Sequence, residues 1–549
     1  VERVGRQRLY LFAFRHILFQ AHLYGALGDI DRSLLHEDVG VALETLYGDH
    51  AAEIALELAY HFLAAGLEER ALPHLIEAGD RAWRAFANQE AVEHYSRALS
   101  IIDAMLADAS AEEIPELYQL QFNVLGRREE VYDRLGRRDA QAADLERMLE
   151  VARQLDEHQQ AQVYNRQSHY FWVIGEYDQA IGAASRALPL MQAAGDRLGE
   201  GETRLNLGQA ARETGDYEAA SHQFLTAASL FDEIGAMQPQ ARALTRVGTL
   251  HSELGEFEEA LRYLEQALDV SRQIDSQHDQ AYALDQMGII YANTGDYSKA
   301  LKHSQEALAI ARSIGDRFLE RVNLINVAVM LAYLGDYEQA IDLAGAALEI
   351  SRAIHDQSGE AVALINLGDF ERALGRYGPA LSHLQVALGL AEQLKRPFLV
   401  AACHHYLAET YRQHESRQNA ERAIEHARLC IAAAEQAGTR HYQVLGRSAL
   451  AMALLARGEV EDALTTSTKA VEQLEALGAI EGPEEEVYYH HFQVLQAAGR
   501  SDDAWQPLQK AWDLIQAKAQ RISDPALRQS FLEQVPLNRQ ILRAAANQR

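Results

Sequence analysis

The sequence predicts an all-α protein, a right-handed superhelical α-solenoid built from helical hairpins. Three observations lead to this fold class. A short phrase recurs at a constant interval, small and apolar residues recur at helical spacing on both sides of it, and only 10 prolines interrupt the 549 residues. Hydrophobic residues make up 48% of the chain, which is enough for a continuous core between stacked hairpins.

The recurring phrase consists of glycine, a charged residue, Tyr or Phe, two variable residues and alanine. Its leading glycines follow one another at a strict period of forty and are Gly175, Gly215, Gly255, Gly295, Gly335 and Gly375. Glycine is expected to end a helix because it adopts the left-handed conformation at little cost. The charged residue is acidic in five of the six copies, and an acidic residue suits the positive end of the next helix. The aromatic residue is expected to fill the space between neighbouring helices.

Small residues also recur before these turns. They lie seven positions ahead of the later turn glycines and are Gly208, Gly248, Gly288, Ala328 and Gly368. Small side chains at this spacing allow two helix backbones to approach closely. Each repeat unit is therefore predicted to be one helical hairpin.

The pattern resembles the tetratricopeptide repeat position by position. That repeat usually has about 34 residues, so the additional residues here are expected to lengthen the helices and the turns between hairpins. The resemblance implies stacked hairpins that bind a protein or peptide, although the same hairpins serve many kinds of partner.

The strength of the pattern divides the chain into five predicted segments. They are a helical linker module at 1–50, atypical N-terminal repeats at 51–135, the regular array at 136–395, divergent C-terminal repeats at 396–520 and a capping tail at 521–549.

Both ends of the chain resemble bacterial signal-transduction ATPases of the STAND group. Near the start, the residues that carry this likeness to the segment after the ATPase core are Phe14-Arg15-His16, Gln20 and Leu35-His36. Near the end, Ile522–Arg528 resembles the tail that closes the repeat arrays of that group. The resemblance implies a cytoplasmic bacterial sensor region, with an ATPase or other effector domain N-terminal to Val1. An ordinary buried capping helix is the alternative for the apolar run Leu9–Gln20.

Composition argues against several classes of function. The 51 basic and 80 acidic residues give a formal net charge of -29, which repels nucleic acid and anionic lipid. Only Cys403 and Cys430 are present, so a disulfide framework or a thiolate metal cage is excluded and a reducing compartment is favoured.

Motifs for chemistry are missing from the sequence. It contains no Gly-x-x-x-x-Gly-Lys-Ser/Thr phosphate loop, no Gly-x-Ser-x-Gly elbow and no His-Glu-x-x-His metal motif. The pairs His404-His405 and His490-His491 are adjacent, and adjacent helical residues point about 100° apart, which is a poor arrangement for a chelate. The prediction is a chain that is not an enzyme and has no metal site and no cofactor.

The first helices of the hairpins are expected to line an inner, concave groove. The position two residues before the small residue forms a polar column of amide and guanidinium side chains, namely Arg166, Asn206, Arg246, Gln286, Asn326 and Asn366. Such side chains can hold a peptide backbone by hydrogen bonds that do not depend on its sequence. The column is equally compatible with a solvated inner face, or with asparagines that tie one repeat to the next.

Apolar residues flank this column in the later repeats. They are Tyr282, Ile289, Val322, Ile325, Val329, Val362 and Ile365. An apolar patch on an inner face suggests a bound segment, from a partner or from the same protein. Tight superhelical curvature that buries these residues between repeats is the alternative.

The sequence thus predicts a non-catalytic sensor or interaction region of a STAND-like signalling protein. Its ligand, a protein or peptide, is expected in the groove, and nucleic acid and membranes are not expected as partners. The alternative is a free-standing scaffold of tetratricopeptide repeats that assembles partner proteins.

Overall fold

The computed structural model describes residues 2–4, 7–9, 17–85, 87–414, 417–478, 480 and 482–548. Phe14, Arg15 and His16, which carry part of the likeness stated above, lie outside these residues. The chain forms two compact units, Val1–Gly235 (unit 1) and Ala236–Arg549 (unit 2). The five segments predicted from the sequence stay a prediction.

Unit 1 begins with a small β-hairpin and continues as helices. Strands β1 (Glu2–Val4) and β2 (Gln7–Leu9) pair antiparallel, with Arg3 opposite Arg8. A 3-10 helix, Gly48–Ile54, lies between the second and third helices. The α-helices are α1 (Ile17–Ala26), α2 (Asp29–Tyr47), α3 (Ala55–Ala64), α4 (Glu68–Arg84), α5 (Asn88–Asp108), α6 (Ile114–Leu135), α7 (Arg138–Ala152), α8 (Glu157–Val173), α9 (Tyr177–Ala194), α10 (Arg197–Glu213) and α11 (Tyr217–Glu233).

Unit 2 contains the remaining helices. They are α12 (Met237–Glu253), α13 (Phe257–Gln273), α14 (Gln277–Asn293), α15 (Tyr297–Ser313), α16 (Arg317–Tyr333), α17 (Tyr337–Ala353), α18 (Gln357–Ala373), α19 (Tyr377–Gln393), α20 (Pro397–Gln413), α21 (Arg417–Ala437), α22 (Arg440–Arg457), α23 (Val460–Leu477), α24 (Glu484–Ala497), α25 (Ser501–Arg521), α26 (Pro525–Glu533) and α27 (Pro536–Gln548). None of the described helices of either unit combines the length and apolar composition needed to cross a membrane.

Consecutive helices pack in pairs and each pair packs on the next, from α4–α5 to α10–α11 in unit 1 and from α12–α13 to α24–α25 in unit 2. Each unit is therefore a stack of helical hairpins, and the predicted all-α solenoid is confirmed.

The turn phrase has the local structure that its residues predict. The six turn glycines have positive φ, for example 83° at Gly175 and 92° at Gly335, where a side chain would be strained. The next residue caps the following helix in several copies: the Asp296 carboxylate accepts from the Lys299 N–H and the Asp336 carboxylate from the Gln339 N–H, both at 3.2 Å.

The small residue before each turn faces the second helix of its own hairpin. A Cβ at Gly248 would lie 2.7 Å from Leu264, and a Cβ at Gly368 would lie 2.5 Å from Leu384. Each opposing side chain lies 16 positions further along the chain. Glycine at these positions therefore lets a large side chain pack directly on a helix backbone.

The end of the chain folds back onto the hairpins of unit 2. We call α26 and α27 the C-terminal segment. The ring of Phe531 in α26 lies 5.8 Å from the ring of Tyr297 in α15, and Gln534 lies beside the turn glycine Gly335. Phe531 is 2% exposed, and Ile541 of α27 is fully buried in the same cluster. The C-terminal segment is thus part of the hydrophobic core of unit 2.

Candidate functional site

The polar column in unit 1 joins successive hairpins. The Arg166 guanidinium of α8 donates to Glu129 at 2.7 Å and to Glu130 at 2.8 Å, both in α6. The Asn206 amide of α10 donates to the side-chain oxygen of Asn165 in α8 at 2.7 Å. Both column residues are half-buried, so part of each side chain still faces solvent.

In unit 2 the column residues Arg246, Gln286, Asn326 and Asn366 are half-buried as well. Gln286 accepts from the Thr249 hydroxyl of α12 at 3.2 Å, and Asn326 donates to the Asp285 carboxylate of α14 at 2.6 Å. Asn366 instead donates to the Val362 carbonyl of its own helix at 2.9 Å. Ties between repeats, one of the two alternatives to a binding column, are therefore present at several positions.

Asp285 shows how strongly one of these ties is buried. The carboxyl is 4% exposed, and burial raises its pKa to about 6, although the hydrogen bonds from Asn326 and Gln286 act in the opposite direction. Asn326 thus supplies a donor to a carboxylate that water scarcely reaches.

The apolar flanking residues divide into two groups. Ile325 and Ile365 are buried in the hydrophobic core of unit 2 and contribute to packing between hairpins. Tyr282, Val322, Val329 and Val362 are half-buried, and Ile289 is 38% exposed. Of these, Ile289 and Val329 line a cavity whose opposite wall is formed by the C-terminal part of the same unit.

An open pocket lies on the inner face of unit 1, and we call it the unit 1 pocket. Its volume is about 480 Å³, and α6, α8 and α10 supply most of its wall. The lining residues are Trp83, Glu129, Glu130, Asp133, Arg134, Asn165, Arg166, His169, Glu202, Leu205 and Asn206. Four carboxylates and two guanidiniums make it acidic, and both guanidiniums are held locally: Arg166 by Glu129 and Glu130, and Arg134 over the Trp83 ring at 4.1 Å.

Unit 2 contains two neighbouring cavities between its hairpins and the C-terminal segment. One has a volume of about 430 Å³ and includes Asn326 in its wall, and the other has a volume of about 320 Å³ and includes Asn366. Val329, Tyr333, Val535 and Leu537 line both. The inner face of these repeats is thus covered by a segment of the same chain, one of the two occupants that the apolar patch suggested.

A cluster of charged residues lines or adjoins the smaller cavity. Arg372 pairs with Asp369 in α18, and Arg412 pairs with Glu409 in α20, each at 2.5 Å. From α24, the Glu486 carboxylate lies 3.8 Å from the ring of His490. We call these six residues together with His405 the buried charge cluster.

Only one local signal in the sequence points to this cluster. The pair formed by an acidic residue and an arginine three positions later occurs at the same place in two successive repeats, at 369/372 and at 409/412. Glu486 and His490 come from a hairpin much later in the chain, and no local pattern connects them with α20.

Burial changes the protonation of the cluster. Burial and the neighbouring Glu409 charge raise the pKa of Glu486 to about 8. Burial lowers the pKa of His405 to about 4 and that of His490 to about 3, so both rings are neutral at pH 7. Burial also opposes ionisation of Glu409, but Arg412 and the other nearby positive groups hold its pKa well below the usual range.

Comparison with known proteins agrees with the hairpin fold. The fold is that of a helical repeat protein. Residues 159–233, 239–313 and 320–393 match the family model of the tetratricopeptide repeat, and this part of the chain consists of such repeats, as predicted from the sequence. A search of curated protein sequences finds no match.

Several solved structures are similar to parts of the chain. A STAND protein with a tetratricopeptide repeat sensor from Pyrococcus horikoshii is 16% identical, over 80% of this chain and 68% of that one, with a TM-score of 0.47. The apo form of the quorum sensor NprR from B. thuringiensis is 16% identical, over 66% and 99%, with a TM-score of 0.48. Yeast Tom70 is 13% identical, over 88% and 97%, with a TM-score of 0.37.

Proposed function

We propose that the chain is a non-catalytic peptide- or protein-binding sensor region of a STAND-like signalling protein, with the ligand bound in the unit 1 pocket. The observation that carries the proposal is the composition of this pocket. It is open, it contains the column residues Arg166 and Asn206, and it has a net negative charge on the inner face of a tetratricopeptide repeat array.

The chemistry of the pocket defines the expected ligand. Glu130 and Glu202 are accessible to solvent, while Trp83 and Leu205 supply half-buried apolar surface between the charges. A basic side chain of an extended peptide would lie against the carboxylates, and its neighbours would pack on Trp83. The ligand is therefore an extended peptide, or an exposed protein segment, that carries Lys or Arg.

Peptide selection followed by a charge substitution tests this site. Peptides selected against the full chain from a random display library should be enriched in Lys and Arg. A selected peptide should bind at least tenfold more weakly to the double variant Glu130→Gln/Glu202→Gln, and its affinity should fall as salt concentration rises. The matched control is Glu146→Gln/Glu218→Gln, which removes two exposed carboxylates outside the pocket. Selection of acidic peptides, or equal binding to both double variants, would contradict the proposal.

The signalling context has a separate test. In the proposed sensor, the ligand binds with different affinity to the resting and the active arrangement of the full protein, so that binding shifts the equilibrium between them. The coding sequence upstream of Val1 should then encode a phosphate loop of the form Gly-x-x-x-x-Gly-Lys-Ser/Thr. A start codon directly before Val1 would favour the free-standing scaffold instead. It would not affect the proposed peptide site, which has its own test.

A further inference from the structure

The smaller cavity of unit 2 has the features of a second binding site. It is lined by α16, α18, α20, α22 and α24 and by the start of α27, and its volume of about 320 Å³ is in the range of small-molecule pockets. We propose that it binds a small organic cation with a single charge, such as a primary amine, whose ammonium group contacts Glu409 and Glu486. This inference concerns unit 2 and does not depend on the peptide site proposed for unit 1.

Two buried polar atoms without a hydrogen-bond partner carry the first part of the argument, one beside the cavity and one in its wall. Glu409 is 1% exposed, and its Oε1 has no hydrogen-bond partner among the described residues, while its Oε2 accepts from Arg412. His405 is 5% exposed and lines the cavity, and its Nδ1 also has no partner among the described residues. A buried carboxylate oxygen without a donor is costly, and a ligand N–H would satisfy it.

Distances favour a single ligand group. One carboxylate oxygen of Glu409, one of Glu486 and a ring nitrogen of His490 all lie within 4.8 Å of one another. The His490 ring is held on its other side by Ser448, whose hydroxyl lies 2.9 Å from Nδ1. An ammonium group has three N–H donors, so it can contact several acceptors that converge in this way.

The charge count selects a cation with one positive charge. With Glu486 ionised, the cluster contains three carboxylates, Asp369, Glu409 and Glu486, and two guanidiniums, Arg372 and Arg412. Its net charge is then -1, because the histidines are neutral. One added positive charge gives a neutral cluster, whereas a divalent metal ion would leave a net positive charge in a poorly solvated site.

The remaining walls suit an apolar ligand body. Five of the side chains there are aromatic, and they are Tyr333, Tyr337, Phe370, Tyr406 and Tyr442. Val535 and Leu537 of the C-terminal part close the opposite side. Aromatic faces attract organic cations and also pack well against aromatic or aliphatic groups. The chemical class that fits is therefore a monoamine with a compact apolar body.

The protonation of Glu486 supports this assignment. Because its pKa is raised to about 8, the carboxyl holds a proton at neutral pH. A bound ammonium group would favour the ionised form of Glu486, because its positive charge would then lie next to the carboxylates of Glu409 and Glu486. Binding should therefore release close to one proton per ligand at pH 7, which provides a specific signature.

The experiment is isothermal titration calorimetry of the full chain at pH 7 in phosphate and in HEPES, neither of which contains a primary amine. The probes are methylamine, cyclohexylamine, 2-phenylethylamine and tyramine, with 2-phenylethanol and phenylacetate as neutral and anionic counterparts. At least one amine should bind with one-to-one stoichiometry and release about one proton, as read from the difference between the two buffers. The alcohol and the carboxylate should bind at least tenfold more weakly.

The variant Glu486→Gln tests the site itself. It keeps the shape and removes the charge, so it should weaken amine binding at least tenfold and abolish proton release. Glu349→Gln, an exposed carboxylate on α17, is the matched control and should bind as the unchanged chain does. Because proton release is measured on the unchanged chain, the test does not depend on folding of the variant.

Three results of the amine titrations would overturn the inference. They are no binding of any amine in the series, equal binding of 2-phenylethylamine and 2-phenylethanol, and amine binding that is unchanged in Glu486→Gln. Binding of Zn²⁺ or Mn²⁺ that requires Glu486 and that amines do not displace would also overturn it, and would show a metal site in its place.

Discussion

Asn326 and Asn366 occupy the same position in two successive repeats, but their hydrogen bonds differ. Asn326 donates to buried Asp285 of the preceding hairpin, whereas Asn366 donates to a carbonyl of its own helix. Asn326→Ala should therefore lower the free energy of unfolding by about 1–3 kcal/mol, because it removes the donor of a buried carboxylate. Asn366→Ala, the matched control, should cost less than about 0.5 kcal/mol, because the Val362 carbonyl that accepts from Asn366 also belongs to the hydrogen-bonded backbone of the same helix. Urea denaturation measures both, and equal effects would contradict this assignment of roles.

A second residue-scale prediction concerns Glu486 and pH. Its pKa in the folded protein, about 8, is higher than its unfolded value, so the folded state retains this proton where the unfolded state loses it. Stability contributed by the protonated carboxyl is present below about pH 4.5 and is lost as pH rises toward 8. Glu486→Gln cannot lose this proton. The Tm of the unchanged chain, relative to that of the variant, should therefore fall between pH 5 and pH 9.

Other titrating groups that face Glu486 should not reproduce this trend. The charges that act on it come from α18 and α20, namely Asp369 and Arg372, and Glu409 and Arg412. The arginines stay charged throughout the range, and His490 titrates far below it because burial lowers its pKa to about 3. A difference in Tm that stays constant from pH 5 to pH 9 would show that Glu486 does not titrate in this window.

At the scale of the element, the two helices of a hairpin meet where the small residue of the first helix faces the residue 16 positions later in the second helix. Gly208, Gly248 and Gly368 face Phe224, Leu264 and Leu384. In the hairpin α16–α17 the corresponding positions hold Ala328 and Ala344, and both are fully buried. In these four hairpins glycine accompanies a large partner and alanine a small one, whereas in the hairpin α14–α15 Gly288 faces the small residue Ser304.

This pairing predicts a coupled effect of two substitutions. Gly368→Ala should destabilise by about 1–3 kcal/mol because its Cβ would lie 2.5 Å from Leu384. Leu384→Ala should cost about 2–5 kcal/mol through the cavity that it leaves. The double variant, which has the arrangement of Ala328 and Ala344, should cost less than the sum by about 1–3 kcal/mol. Chemical denaturation of the four proteins gives the coupling energy.

Gly389→Ala is the control for this cycle. Gly389 lies in α19 like Leu384, but it is exposed, and a Cβ there would have no heavy atom within 4 Å among the described residues. The substitution should stabilise the helix by about 0.5–1 kcal/mol. Strict additivity of the two substitutions at Gly368 and Leu384 would contradict the proposed match.

The sequence predicted the hairpins because they depend on local residues. Turn glycines, helix caps and the spacing of small residues all act within one repeat unit, so the helices of the regular array follow from them. The tie between Asp285 and Asn326 also left a signal, since the two residues are 41 positions apart, as are Asn165 and Asn206. The sequence placed the column on the inner helices but did not indicate these partners.

The buried charge cluster, and which segment covers the inner face, could not be predicted in the same way. Glu409 and Glu486 meet only after the intervening helices have folded, and Tyr297 meets Phe531 from a distant part of the chain. Such contacts depend on the total rotation between hairpins that lie several repeats apart. A pattern that recurs within each repeat carries no information about this total rotation.

At the scale of the whole molecule, the most consequential feature is that the C-terminal segment completes the core of unit 2. In a stack of hairpins each repeat ordinarily contacts only its neighbours, so a local change propagates only locally. Phe531 and Ile541 add contacts to this core from the end of the chain, and Gln534 lies beside the Gly335 turn. The segment therefore stabilises hairpins that are distant from it in sequence.

Deletion of residues 523–549 tests this role. It should expose Tyr297 and Tyr333, which lie on the hairpins α14–α15 and α16–α17, and so increase amide exchange in residues 291–297 and 331–337. Amides of α8 and α9 in unit 1 should exchange as in the full chain, because they belong to a separate compact unit.

The substitution Phe531→Ala should reproduce part of the effect and lower the free energy of unfolding of unit 2 by about 3–5 kcal/mol. Hydrogen exchange measured by mass spectrometry resolves these segments. Equal increases in both units would mean that the segment affects the chain as a whole, and an unchanged rate at 291–297 would mean that it does not hold these hairpins.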